Sequence, residues 1–134
     1  METLFLEVVT PEGVLVSQEV DMVIVPGSEG EFGVLPGHMN FLSGIVPGEL
    51  RFYHGGASEC MAVSSGFAEV SNNSVSIIVD TAERAGDIDL ERARSAKDKA
   101  RERMEKEKDP ADFLRAEVAL KRAISRIKVV EKAL

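Results

Sequence analysis

The sequence predicts an all-β module, a sandwich or barrel, over about its first 80 residues, followed by a two-helix hairpin. Three observations predict it. Short β-branched and aromatic runs recur between Gly and Pro punctuation as far as Val79. All eleven glycines lie at or before Gly86, and the first lysine is Lys97. After Gly86 the apolar residues fall at helical spacing. The stretch Thr81–Ala93 (TAERAGDIDLERA) is the joint where one regime gives way to the other.

Residues 3–10 (TLFLEVVT) form the first expected strand, ended by Pro11-Glu12-Gly13. Val14–Val16 is a short second strand, and Val20–Val25 a third, closed by Pro26-Gly27. The segment Gly27–Ser43 reads as a long glycine-rich loop. Val46-Pro47-Gly48 makes a turn, and Leu50 to Tyr53 alternates as a half-buried strand. Further strands follow at Glu59–Val63, Phe67–Val70 and Val75–Val79. Asn72-Asn73 suits a hairpin turn because Asn tolerates positive φ. No long crossover helix interrupts residues 1–80, which argues against a parallel α/β sheet.

Asp87 is the expected N-cap of the first helix, with Asp89 and Glu91 in its first turn. Ala93, Ala96, Ala100 and Met104 give that helix a narrow apolar stripe. Asp109 then caps a second helix that starts at Pro110. Its seam is Phe113, Ala116, Leu120, Ala123, Ile127, Val130 and Leu134, a coiled-coil spacing. So thin a seam buries little area, which makes the hairpin marginal by itself and a candidate switch.

Charge divides the chain at the same joint. Residues 1–86 hold twelve acids against Arg51 and Arg84, a net charge of −10, while the remainder is +3. An acidic module argues against nucleic acid. Cys60 is the single cysteine and pairs with nothing in its own chain. The start Met1-Glu2-Thr3 carries no basic n-region, which argues against a secretory signal, and no run approaches a membrane span.

Chemistry-bearing constellations are scarce. Gly27-x-x-Gly30-x-x-Gly33 lacks the Gly-Lys-Ser/Thr and the helix start of a phosphate loop, so its glycines read as turn residues. The same segment sets Val34, Leu35, Met39, Phe41 and Leu42 around Pro36-Gly37-His38, residues that read equally as core or as a docking edge. Two histidines and one cysteine are too few for a His-based metal site, and no nucleophile–base pairing assembles, so no catalytic and no metal residue is assigned. On the second helix Arg122 and Arg126 share a face, joined by Arg115, Lys121, Lys128 and Lys132. That face is either solvated or meets an acidic partner or phosphates.

Together, GSEGEFGVLPGHMNFLS at 27–43, the Pro47-Gly48 turn, and Asp80–Arg84 followed by Asp87–Ala93 resemble the ε subunit of bacterial F-type ATP synthase. The likeness spans the whole chain. It implies a ten-stranded β-sandwich at 1–84 and a C-terminal antiparallel helical hairpin at 85–134. It implies a non-catalytic subunit of the central stalk, which couples ion translocation to ATP synthesis. Such a subunit sits peripherally on the cytoplasmic face of the bacterial plasma membrane and touches the membrane only through the complex.

The expected partners are the γ subunit and the c ring, with Glu31, His38, Met39 and Phe41 at the docking edge. The arm, about 70 Å long if straightened, is expected to reach the β and α subunits through Arg115, Lys121 and Lys128 and to block ATP hydrolysis. No cofactor is required, but ATP is implied as a regulatory ligand of the folded form. The family motif matches in full as Ile88-Asp89-Leu90-Glu91-Arg92-Ala93, and Glu83, Arg122 and Arg126 match further members of that site. Lys99 stands where an arginine is usual, a point charge in place of a fork. A free-standing ATP-sensing module is the rival reading, and a small enzyme a third.

Overall fold

The computed structural model describes residues 3–37 and 40–133. Ten strands occur among them: β1 (Leu4–Thr10), β2 (Gly13–Val20), β3 (Met22–Gly27), β4 (Gly30–Val34), β5 (Phe41–Ile45), β6 (Gly48–His54), β7 (Ala57–Val63), β8 (Gly66–Ser71), β9 (Ser74–Val79) and β10 (Ala82–Arg84). A 3-10 turn at Ala85–Asp87 leads to α1 (Leu90–Lys106) and α2 (Pro110–Ala133). A ten-stranded β-sandwich followed by a two-helix hairpin is thus the fold.

The strands form one hydrogen-bonded path, β10-β7-β6-β3-β5-β8-β9-β1-β2, with β4 paired to β3. The path folds over on itself and encloses an aliphatic core of Leu4, Leu6, Val8, Val23, Leu50 and their neighbours around Phe52. Alternation is the cause. On β1 residues 4, 6, 8 and 10 are buried, while 5, 7 and 9 point away.

Two sequence expectations need correcting. Gly27–Ser43 is not one loop: it holds β4, folded back on β3 at a turn where Gly30 has φ of 120°, and the start of β5. Its glycines masked the strands. The second strand extends well beyond Val16, through to Val20. One pair, β1 with β9, is parallel, in a sheet otherwise antiparallel. It needs no crossover helix because most of the sandwich lies between the two strands in sequence. The Asn72-Asn73 turn forms as expected, both residues at positive φ (50° and 60°).

In the arm, the stripe on α1 is Ala93, Ala100 and half-buried Met104. Ala96 is exposed, and Lys97 takes the intermediate place between them. A 4, 3, 4 spacing keeps those positions on one side as the helix turns. On α2 the seam holds at Ala116, Ala123 and Ile127, but Phe113 is 38% exposed. Leu134 lies outside the described residues. Val129 is completely buried, whereas the expected Val130 is only half-buried. The reason is a second contact: α2 packs on α1 and also on β6, β7 and the 3-10 turn.

Candidate functional site at the junction of arm and sandwich

The joint closes over a small apolar cluster. Ala62 of β7, Ile88 and Ala93 of the joint, and Ile127 and Val129 of α2 are buried together, with Cys60, Ala85, Leu90 and Val130 at the edge. Alanines on β7 and α1 let the helix backbones approach closely. Ile88 and Ala93, two residues of the motif, are therefore structural here.

Asp89, not Asp87, is the N-cap of α1. Its carboxylate accepts from the Arg92 backbone N–H at 3.1 Å, while Asp87 ends the 3-10 turn. The Ile88 N–H closes that turn onto the Ala85 carbonyl at 3.2 Å. The extra turn shifts the helix start by one step beyond the first acidic residue. Asp89→Ala should lower the stability of the docked arm by about 1 kcal/mol, read as an earlier loss of helical circular dichroism in urea, with the sandwich signal unchanged. At the other helix start Asp109 caps as expected, accepting from Ala111 N–H at 2.8 Å.

Glu83 and Arg126 come together across the joint. Arg126 Nε lies 2.9 Å from Glu83 Oε1, and Nη2 donates to Oε2 at 3.2 Å. Both side chains are about a quarter exposed (24% and 30%), so the pair is screened and worth little on its own. Its value is positional: it ties α2 to β10. Arg122, one turn before, is exposed, as are the side chains of Arg92 and Lys99. The fold thus brings Ile88 and Ala93 into one cluster and Glu83 onto Arg126, and leaves Arg92 and Arg122 exposed.

Two further contacts hold α2 down: the sequence pattern gave no hint of Ser125, and it set Lys132 on a basic face without indicating that it pairs with the sandwich. Ser125 Oγ donates to the Gly48 carbonyl at 2.6 Å. Lys132 Nζ pairs with Glu49, whose side chain is only 13% exposed. Beneath them the Cys60 thiol donates to the same Glu49 carboxylate at 3.6 Å. Burial, and then the Glu49 charge, push this thiol up from 9.0 to about 11.

The residues expected to meet partners are dispersed. Glu31 pairs with Arg51 at 2.7 Å on the sandwich. Phe41 packs edge-on against Phe32, ring centroids 5.2 Å apart. His38 and Met39 lie outside the described residues. Val34 belongs to the core, while Leu35 and Leu42 are 56% and 68% exposed and lie outside it. Arg115 pairs within α2 to Asp112, and Lys121 to Glu117. Lys128 is exposed.

A larger apolar surface lies on the other sheet face. Val14, Val9, Ile78 and Phe67 form one row across β2, β1, β9 and β8, fixed by the registers Val9↔Val14, Val9↔Ile78 and Phe67↔Ile78. Val14, Ile78 and Phe67 are 57%, 52% and 61% exposed, more than a soluble surface ordinarily leaves in line. A hollow of about 340 Å³ sits on this row.

Sandwich, appended arm and an exposed apolar row define a docking subunit with a helical arm folded against it. Comparison with known proteins gives the family. The family model for the ATP synthase delta/epsilon chain β-sandwich domain matches residues 3–85, and the one for its long α-helix domain matches residues 87–131. An ATP synthase epsilon chain from Syntrophobacter fumaroxidans is 48% identical over 131 residues, covering 98% of both chains. One from Nitratidesulfovibrio vulgaris strain DP4 is 48% identical over 128 residues, 96% of each. Among solved structures, a chain of the Euglena gracilis mitochondrial ATP synthase (OSCP/F1/c-ring) superposes with a TM-score of 0.81 at 27% identity, covering 98% of this chain and 81% of that one. The chain belongs to the ATP synthase δ/ε family, as a non-catalytic ε subunit of the central stalk. No helix among the described residues is long and apolar enough to cross a membrane.

Proposed function

We propose that the chain is the regulatory part of the rotor, peripheral on the cytoplasmic face of the bacterial plasma membrane. The sandwich docks on the γ subunit and the c ring and turns with them, so that ion flow is coupled to ATP synthesis. The row Val14–Val9–Ile78–Phe67 suits the γ contact, because it is apolar and faces away from the arm. Leu35 and Leu42 extend the apolar surface at the edge first suggested by Glu31 and Phe41.

The arm is the regulator. Folded, it rests on β6 and β7. Extended, its basic helix carries Arg115, Lys121 and Lys128 to acidic surfaces of β and α and stops hydrolysis. The observation that carries this reading is the nature of the docking surface: a five-residue buried cluster, one hydroxyl contact and two ion pairs, Arg126–Glu83 and Lys132–Glu49. That is enough to hold a hairpin and little enough to release it.

ATP binds the folded form at the joint, using the Asp89 cap and the exposed Arg92 of α1 together with Arg122 and Arg126 of α2. Arg126 turns from Glu83 to phosphate, and Glu83 serves the nucleoside side. Ligand present at a hundred times its Kd adds about 2.7 kcal/mol to the folded form. A contact of this size tips so marginal an equilibrium. Calorimetry on the isolated chain should give a saturable heat with ATP, lost in Arg92→Ala and in Arg126→Ala. Absence of that heat overturns the ATP site. In the assembled motor, removing residues 87–134 should raise ATP hydrolysis severalfold, and an unchanged rate overturns the inhibitory role.

A further inference from the structure

A second cleft runs under α2 on the side away from Arg122 and Arg126. Its volume is about 460 Å³. One wall is the sandwich, at the β3–β4 turn, the β5–β6 turn and Arg51. The other is the α2 face bearing Lys121, Ser125, Lys128 and Lys132. It adjoins a cleft of about 370 Å³ lined by Arg84, Tyr53, Glu59 and Cys60, and Arg51 and Lys132 belong to both walls. The acidic sandwich has only two arginines, and both open onto this continuous groove.

The electrostatics favour an anion. Five cations line the groove, Arg51, Arg84, Lys121, Lys128 and Lys132, against the carboxylates of Glu31, Glu49 and Glu59. Each carboxylate already serves one cation: Glu31 holds Arg51, Glu59 holds Arg84 and Glu49 holds Lys132. Lys128 has no ion pair among the described residues, and Lys121 reaches only Glu117 on its own helix, at 3.6 Å. The Arg51 Nη2 donates to Glu31, while its buried Nε–H meets no acceptor. Two walls of opposite origin therefore leave an excess of positive charge between them.

The spacing sets the shape of the ligand. Lys121 and Lys128 are about 10 Å apart along the helix, and Lys132 about 6 Å further, at 1.5 Å per residue. One orthophosphate spans no such row, whereas a chain of linked phosphates does. We propose that this groove binds a linear phosphoanhydride chain, with the lysines of α2 on one side and Arg51 on the other.

Because both walls are needed, the anion binds only the folded arm, and it engages the same Lys121 and Lys128 that the extended arm presents to its partners. The groove thus provides a second brake on extension, separate from the nucleotide site at Asp89, Arg92 and Arg126.

The test is titration calorimetry of the full chain with sodium tripolyphosphate, pyrophosphate and orthophosphate at low salt. Tripolyphosphate is expected to give saturable heat, pyrophosphate weaker heat and orthophosphate none. Lys121→Ala/Lys128→Ala should weaken binding about tenfold or more, while the charge-preserving Lys121→Arg/Lys128→Arg should retain it. Arg92→Ala removes any share of the heat that belongs to the ATP site and should leave this groove's share, so that failure here and failure of the ATP site are read separately. No saturable heat with any chain length overturns the proposal. Equal affinity for orthophosphate overturns it too, as does loss in Arg92→Ala with retention in the lysine-to-alanine pair.

Discussion

Val129→Asp should release the arm and leave the sandwich folded. Val129 is wholly buried between α2 and β7. A carboxylate there sits among Ala62, Ile88 and Ile127, the cations of the adjoining cleft (Lys132, Arg51 and Arg84) being already paired, and burying it costs about 2 kcal/mol on top of the lost apolar contact. The cluster is small, so the hairpin separates more readily than it absorbs the charge. The sandwich core shares none of these residues and keeps its strands.

Cys60 reports the release. In the docked form its pKa of about 11 leaves roughly 1% thiolate at pH 9, where a thiol of ordinary value 9.0 is half ionised. Alkylation at pH 8–9 should therefore be slow in the parent chain and many-fold faster in Val129→Asp. The same shift sets a pH dependence. Below pH 9 docked and undocked forms both keep the proton. Release removes the burial under α2 while Glu49 stays beside the thiol on the sandwich, so the docked form holds the proton more firmly and docking weakens as pH rises from above 9 towards 11.

Gly66→Ala should cost the sandwich itself about 3 kcal/mol or more. A Cβ at Gly66 would meet the Ile78 carbonyl oxygen and lie 2.7 Å from Val79 Cα. Both are backbone atoms of the neighbouring strand, and no side chain can swing aside. β8 would have to part from β9, and with it the pairing Gly66↔Ile45 on the other side. For a domain of this size the melting temperature should fall by about 12 °C or more in a calorimetric scan. Gly55→Ala is the contrast: space is open there, and only the φ of 59° opposes the change.

The fold class was legible because alternation and punctuation act locally. Val75, Ile77 and Val79 point inward on β9 as their spacing requires. Two strands hidden in Gly27–Ser43 were not legible, since glycine-rich strands have no side-chain alternation to read. Nor was the exposed apolar row. On β8 the sequence Phe67-Ala68-Glu69-Val70 puts the small Ala68 inside and the large Phe67 outside. Which of two adjacent apolar residues faces the core is a matter of register, set by the partner strand.

At the joint, the family motif pointed to Asp89, Arg92 and Ala93, and the cap and the buried alanine are there. Of the contacts that hold α2 down, Ser125 and Val129 carried no signal, and Lys132 read as part of a basic face rather than as a tie to Glu49. They depend on where a helix lands on a sheet, which no periodicity within the helix encodes. Glu49 is the same case from the other wall.

The account stands most directly on whether the arm moves with ligand state. Dyes placed on Glu69→Cys of β8 and Arg101→Cys of α1, in a Cys60→Ser background, report the distance between arm and sandwich by single-molecule energy transfer. With excess ATP one compact population should dominate, in the free chain and in the assembled motor. With ATP withdrawn, the motor should show a second, longer distance at the expense of the first. One unchanging distance with and without ATP, in the motor and in the free chain, would contradict a regulatory arm.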